Sequence, residues 1–457
     1  WRFSLYYFFV FGGFVALALW LPHYYVDVYG LDIVKAGWLG AAYSIPGSLF
    51  RILGGKLSDT YGARRVMYWT FAGSSVALFF LAYPATHYVV NGIDGPIEFD
   101  IAVGFLPFMV LTFVLGFFMS LGKAAVYKHI PVYYPGRVGA VGGIVGLIGG
   151  LGGFILPIAF GYLNDVIGIW TSCFMLLFLI STISLVWMHF AIREMEKNSH
   201  PELRRPHDLP ELASTRLAPS GEAGLAAKGA SYLQRWEPEN EAFWNDTGKG
   251  IAYRTLIITT LNLTMAFILW FVVSALVVRL PQIGFKLSTG QLFWLAAMPG
   301  LAGGSLRLIH MFLTPMYGTR TVVSLSTLSL LIPAVGWFYA VQDINTPYWW
   351  LMFLAFLAGL GGGNFSSFMP STSLFFPKRM QGTALAIQAG IGNFGVSVVQ
   401  FLTPWVISFA LMGSAAFMGG SQTLTKGAVT SQVWLQNATA IYIPFIVVFG
   451  ITGWLML

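Results

Sequence analysis

Arg51 and Arg307 each lie inside a long apolar run, and no Asp or Glu lies inside either run or any comparable one. Asp59 falls in a loop, and the other acids sit at or beyond the run ends. An arginine at the centre of a membrane costs about 2.5–3.5 kcal/mol on insertion scales. Such a side chain should face a bundle interior and needs a partner there. With no resident carboxylate, a substrate anion can take that role. The planar fork of a guanidinium matches a planar oxyanion through two parallel hydrogen bonds. The bland alternatives are snorkelling to an interface or bonding to backbone carbonyls. His310 follows Arg307 by three residues on a similar face. It reads as a hydrogen-bonded packing residue, with a proton relay as the sharper alternative. Asn393 puts an amide in an apolar run, as an anion donor or as an interhelical hydrogen bond.

These residues need helices in lipid to hold them. Of 457 residues, 56% are apolar and 9% charged, whereas a soluble domain carries about 25% charged residues. Lipid must therefore be the solvent for most of the chain. The net charge of +7 is scattered over short loops, with no patch or motif for nucleic acid. Cys173 is the single cysteine and allows neither an internal disulfide nor a cysteine-based metal site. No metal cluster or nucleophile–base pair occurs, so an enzyme, a cofactor and a partner protein are not expected.

A spanning helix needs about 20 mostly apolar residues. Twelve are expected, near 3–25, 36–55, 66–84, 102–122, 138–163 and 170–192, then near 255–280, 290–313, 321–341, 348–370, 382–412 and 438–457. Between the sixes lies the polar stretch 193–253. Its Pro201–Gly229 section has the composition of a flexible linker. Trp236 to Trp244 suggests a short amphipathic piece at the membrane surface. With Trp1 in the cytoplasm, Arg2, Lys56, Arg64, Arg65, Lys123, Lys128 and Arg137 fall inside, against Lys35 outside. Positive charge then marks the cytoplasmic side, linker included. No start Met precedes Trp1, and both ends read as cut.

The halves repeat. Trp38-Leu39-Gly40-Ala41, Arg51 and Tyr61-Gly62-Ala63-Arg64 find counterparts in Trp294-Leu295-Ala296-Ala297, Arg307 and Tyr317-Gly318-Thr319-Arg320. Tyr133-Tyr134-Pro135 before Gly139 matches Phe375-Phe376-Pro377 before Gly382. Two parallel six-helix repeats joined by a linker mark a two-bundle alternating-access carrier. Gly142, Gly146, Gly150 and Gly153 in the fifth span, and Gly382, Ala386 and Gly390 in the eleventh, set small residues four apart or nearly so. Such faces let backbones approach closely and can rock against each other. The segment Gly54 to Arg65 reads as a loop whose Asp59 and Arg64 can latch neighbouring helix ends; a solvated turn is the alternative.

The Gly-x-Leu-Ser-Asp loop at 55–65 resembles the signature of the major facilitator superfamily. One membrane arginine per half, with Gly390-Ile391-Gly392-Asn393-Phe394-Gly395, is similar to the nitrate/nitrite porter family. The resemblance covers nearly the whole chain outside 198–234. It implies an all-α membrane protein of twelve helices in two six-helix bundles. It also implies that Arg51 and Arg307 bind nitrate or nitrite, that Asn393 supplies a polar contact, and that Tyr7, Phe11 and Phe365 wall the anion. The halves come in reversed order: 1–192 resembles a porter's C-terminal half, 193–253 is the linker, and 254–457 resembles an N-terminal half. This order is expected of the middle of a fused two-porter chain. Arg51 and Arg307 would then serve different native sites, although this stretch can fold as a pseudo-complete bundle.

The expected function is transport of nitrate or nitrite across a bacterial inner membrane, as exchange or as proton symport. Two fixed charges with no titrating acid favour exchange. Lys123, Lys128 and His129 at the end of the fourth span hint at something different in the first half, though positive-inside anchoring explains them more simply. The rivals are a carrier of another small anion and a membrane anion sensor that transports nothing.

Overall fold

A computed structural model describes residues 1–134, 138–198, 233, 236–410, 419–426 and 429–457. The linker section Pro201–Gly229, Pro135, Arg137, and Leu411 and Met412 at the end of the expected eleventh span lie outside the described residues.

Apolar runs in lipid must satisfy their own backbone, and helices do so within one segment. Twelve helical legs follow among the described residues: α1 Arg2–Tyr29, α2 Ile33–Tyr61, α3 Ala63–Leu81, α4 Phe105–Tyr133, α5 Val138–Ile167 and α6 Ser172–Asn198. The second six are α7 Glu241–Val277, α8 (289–317), α9 (319–340), α10 Tyr348–Phe375, α11 Lys378–Val406 and α12 Asn437–Met456. Nine stretches meet length and composition criteria for crossing a membrane; Gly290–Ala340 holds two legs, and α2 and α3 fall outside the nine. Two antiparallel hairpins were not expected. Thr86–Gly92 (β1) pairs with Gly95–Ile101 (β2), and Gln422–Lys426 (β3) pairs with Val429–Val433 (β4). They occupy different connections of the two halves, α3 to α4 and α11 to α12, both on the face opposite the linker.

The expected loop at 54–65 is helix almost throughout. α2 runs on to Tyr61, Gly62 turns the chain with φ 85°, and α3 begins at Ala63. Gly318 makes the same turn in the second half with φ 77°. That backbone region is open to glycine at little cost. Gly54 and Gly55 look like loop residues but serve packing. A Cβ on Gly54 would lie 2.7 Å from the Leu121 Cα, and one on Gly55 2.7 Å from the Gly382 carbonyl. The Trp236 to Trp244 piece leads directly into α7. Asn240 caps the start of α7 by accepting from Ala242 N and Phe243 N. Trp236 Nε1 donates to Leu374 O at 3.0 Å, and Arg379 pairs with Glu241 at 2.9 Å. The linker's end is thereby tied to α10 and α11.

The halves meet along two seams, α2 on α11 and α5 on α8. Glycine sets the closeness of the second: a Cβ on Gly150 would lie 2.7 Å from the Gly304 Cα, and one on Gly300 3.1 Å from Gly153. α1 joins the same cluster, where Gly12 meets Gly152 at 2.7 Å by the same measure. Residues Phe8–Gly13 of α1 form a π turn, a distortion frequent at functional sites.

Gly150→Val should force α5 from α8 and destabilise the protein by about 1–3 kcal/mol, the usual cost of overpacking. Gly250→Ala, with open space around it, should change little. Thermal unfolding in detergent checks the pair.

Candidate functional site

Four side chains stand at one depth. Arg51, Lys123, Arg307 and Phe365 each precede the last helical residue on the linker face by ten positions, those residues being Tyr61, Tyr133, Tyr317 and Phe375. At 1.5 Å rise per residue this is about 15 Å, or half of a hydrocarbon core about 30 Å thick. The helices thus deliver all four to one depth inside the bundle.

Arg51 and Arg307 are both 0% exposed. They face one ring: the Phe365 centroid lies 5.4 Å from the Arg51 guanidinium carbon and 5.0 Å from that of Arg307. The two guanidiniums can be no farther apart than those distances together. Arg307 also lies 4.8 Å from Phe11 and 5.9 Å from Trp270, and Arg51 lies 5.9 Å from Tyr127. Each contact supplies about 0.5–2 kcal/mol to a desolvated cation. Tyr7 stacks on Phe11 at 5.0 Å and meets Tyr127 edge-on at 5.0 Å. Tyr7, Phe11 and Phe365 therefore stand with the arginines in one aromatic cage. Tyr127, Phe267 and Trp270 complete it and were missed. In a chain that is 16% aromatic, only packing selects among rings.

Backbone carbonyls take part of the arginine donors. Arg51 Nη2 donates to Lys123 O at 3.3 Å, while Arg307 Nε donates to Gly362 O at 3.1 Å and Nη1 to Gly146 O at 2.5 Å. The carbonyl alternative is thus partly realised. Yet Arg51 Nε and Nη1 and Arg307 Nη2 have no hydrogen-bond acceptor, and no carboxylate pairs with either arginine among the described residues. The site offers two cations with unmet N–H groups between aromatic faces, a setting suited to a small planar anion.

Asn393 is fully buried, and both its amide atoms lack partners. It follows Gly390, beside which a Cβ would lie 3.4 Å from Arg51 Cβ. Among the described residues no interhelical bond uses it. Asn364, next to Phe365, has the same burial and the same unmet atoms; its Gly363-Asn364-Phe365 setting was the signal that could have found it. His310 bonds Ser367 Oγ at 3.1 Å and packs beside Gly363, a hydrogen-bonded packing residue. Gly146 and Gly150 line the α5 seam at Arg307: a Cβ on each would lie 3.3 Å and 3.6 Å from its side chain.

Lys123 departs from expectation. It is not an anchor at a helix end but is 0% exposed at the depth of the arginines, with Nζ 3.4 Å from the Phe14 ring centroid. Its equal spacing before the Tyr133-Tyr134 pair was the unread signal.

Both faces are bridged around this layer. On the linker face Asp59 pairs with Lys128 at 2.7 Å and accepts from Thr383 N at 2.9 Å and Thr383 Oγ1 at 2.8 Å, at the start of α11. Arg64 donates to Tyr133 Oη at 3.0 Å. On the other face Ser44 Oγ bonds Ser397 Oγ at 2.8 Å and Gln400 Oε1 at 2.8 Å, and Gln400 Nε2 donates to Ala18 O at 2.9 Å. A cavity lined by Tyr127, Phe365, Met369, Ser373 and Leu385 leads from the cage toward the linker face.

The sequence profile of the Major Facilitator Superfamily matches residues 3–400. Among curated proteins, the "Probable nitrate/nitrite antiporter NarK2" of Thermus thermophilus is 60% identical over 233 residues, 51% of each chain. "Nitrate/nitrite transporter NarU" of Salmonella typhimurium is 42% identical over 222 residues, 49% of this chain and 47% of that one. The chain spans about half the length of the curated relatives it matches. Among solved structures, one titled "Crystal structure of tetrameric PepTSo2 in P4212 space group" aligns with TM-score 0.59 and 14% identity, covering 99% of this chain and 94% of that one. This last likeness speaks for the fold.

Asp59→Asn should weaken the bridge to Lys128 and α11. In a Cys173→Ala background, a cysteine at Ser373 should then label with maleimide about tenfold faster, equivalent to about 1.4 kcal/mol in the opening equilibrium. Labelling rates with and without the substitution check this.

Proposed function

We propose that this chain, which belongs to the Major Facilitator Superfamily, carries nitrate and nitrite across a bacterial inner membrane by alternating access. The observation that carries the reading is the pair of buried guanidiniums on one Phe365 ring, with unmet donors and no resident acid among the described residues. A flat trigonal oxyanion accepts several in-plane hydrogen bonds and presents two faces to aromatic rings. The amides of Asn364 and Asn393 can add donors. The printed names of the curated relatives support this substrate class.

Alternating access would use the glycine seams as the sliding surface. The Asp59–Lys128–Thr383 bridge serves as one gate and the Ser44–Ser397–Gln400 cluster as the other. We read the linker face as cytoplasmic, from the positive charge that gathers there. We also read 1–192 and 254–457 as a C-terminal-type and an N-terminal-type half in reversed order, here paired as a pseudo-complete bundle in which Arg51 and Arg307 share one site instead of serving the two expected of a fused chain.

Nitrate uptake and nitrite counterflow in proteoliposomes test the reading. Arg51→Lys and Arg307→Lys each keep a charge but lose the planar fork. Each should lower nitrate transport about ten- to a hundredfold, because a hydrogen bond to a charged group contributes about 1.5–3 kcal/mol. Transport that survives both substitutions, or that formate and phosphate compete for as well as nitrite does, would refute the assignment.

A further inference from the structure

The repeat makes Lys123 conspicuous. Aligning Tyr133-Tyr134 with Phe375-Phe376 sets Lys123 opposite Phe365, and the structure puts both at the same depth, ten residues before the helix end. In the second half this position holds the ring that both arginines touch. In the first half it holds an ammonium. Lys123 is wholly buried, its Nζ has no hydrogen-bond acceptor among the described residues, and Arg51 Nη2 bonds its backbone carbonyl. The cation rests on Phe14, a ring packed against Gly47, one turn before Arg51 on α2.

The titratable neighbours leave this ammonium without a resident counter-charge. α1 brings Tyr6 and Tyr7. α2 brings Tyr43, whose hydroxyl is directed to Phe14 O and Met119 S, as well as Arg51 and, at its end, Asp59. Asp59 is held by Lys128 and Thr383. α3 brings Arg64, bonded to Tyr133. On α4 itself stand Tyr127, Lys128 and His129, the last stacked on Phe3 at 5.2 Å. Among the described residues, α5 and α11 bring no carboxylate to it.

We propose that Lys123 is the proton-carrying group of the anion site: it takes up one proton when nitrate binds and releases one when nitrate leaves, making net transport a symport. The inference rests on the nitrate reading above and decides the coupling that reading leaves open. Charge balance is its basis. A guanidinium does not give up its proton in a protein, whereas a lysine ammonium does so as an ordinary acid. With nitrate bound and Lys123 protonated, three cations and one anion share the layer. With nitrate gone and Lys123 a neutral amine, the two arginines remain. Both states have the same net charge, so the empty site can reorient as readily as the full one. A site of fixed charges alone would be stranded when empty and could only exchange. In the cycle the Nζ–H bond forms with a proton from the water on the entry side. It breaks to water on the exit side, with the electron pair remaining on nitrogen. One proton therefore accompanies each nitrate, and the net step moves no charge.

The test uses the full chain in proteoliposomes with an entrapped pH dye. Net nitrate uptake into anion-free vesicles is compared with nitrate/nitrite exchange. Wild type should acidify the lumen by one proton per nitrate and run faster with acid outside. Lys123→Arg keeps the charge but cannot release a proton. It should shift the ratio of net uptake to exchange by at least about tenfold toward exchange, within the usual range of 5- to 150-fold for coupling between two ligands. Should Lys123→Arg fail to fold, Lys123→Gln serves in its place: uptake that remains should carry no proton. Wild-type nitrate/nitrite exchange with no net uptake, or net uptake that brings no proton, overturns the lysine's role and leaves the substrate assignment standing. So does Lys123→Arg with the wild-type ratio. If wild type moves no nitrate in either mode, the substrate assignment falls, and this inference with it.

Discussion

Two guanidiniums held away from water, without a protein anion to neutralise them, set the terms for the rest of the structure. Burying them is uphill, and the chain offsets the cost without cancelling the charge. Carbonyls of Lys123, Gly362 and Gly146 accept some of the N–H groups, and the rings of Phe11, Tyr127, Trp270 and Phe365 face the cations. A carboxylate would have done the same job more completely and left nothing to bind an anion. Partial compensation keeps the helices together and leaves donors for a ligand.

The glycine seams answer to the same constraint. Gly146 exposes its carbonyl to Arg307 because nothing stands between the α5 backbone and that side chain. Gly390 makes equivalent room beside Arg51 on the other seam. Each arginine thus belongs to one half and packs against a bare helix face of the other. The contact that positions the charge is therefore also the surface along which the halves can move. The polar bridges at the two faces lie across the α2–α11 seam, where a small displacement would break one set and leave the other. The α5–α8 seam has close backbone contact at Gly150 and Gly304, and the bond from Arg307 to Gly146 O crosses it.

The halves are alike in skeleton and unlike at one functional position. The Gly62 and Gly318 turns and the ten-residue spacing repeat. Phe365 and Lys123 do not. A ring shared by two cations sits on one side of the pseudo-axis and a third cation on the other. The sum of charges in the layer therefore comes from both halves, although each half follows the same helical plan.

Composition and spacing alone were enough for the twelve helices, the repeat, the two membrane arginines and the want of acids near them. All of these depend on which solvent a segment needs, and hydropathy reports that directly. Tyr7, Phe11, Phe365 and Asn393 were legible through family resemblance. Tyr127, Trp270, Asn364 and the depth of Lys123 were not, because helix rotation and register decide which residues share a layer. Gly54 to Arg65 read as a loop because glycine and polar residues usually mean one; here they serve close packing and a buried ion pair, which only the neighbours α4 and α11 reveal. A single chain reports what each segment prefers. Which of its groups remain unmet in a water-poor interior depends on the partners brought to it from hundreds of residues away, and only the folded arrangement supplies those.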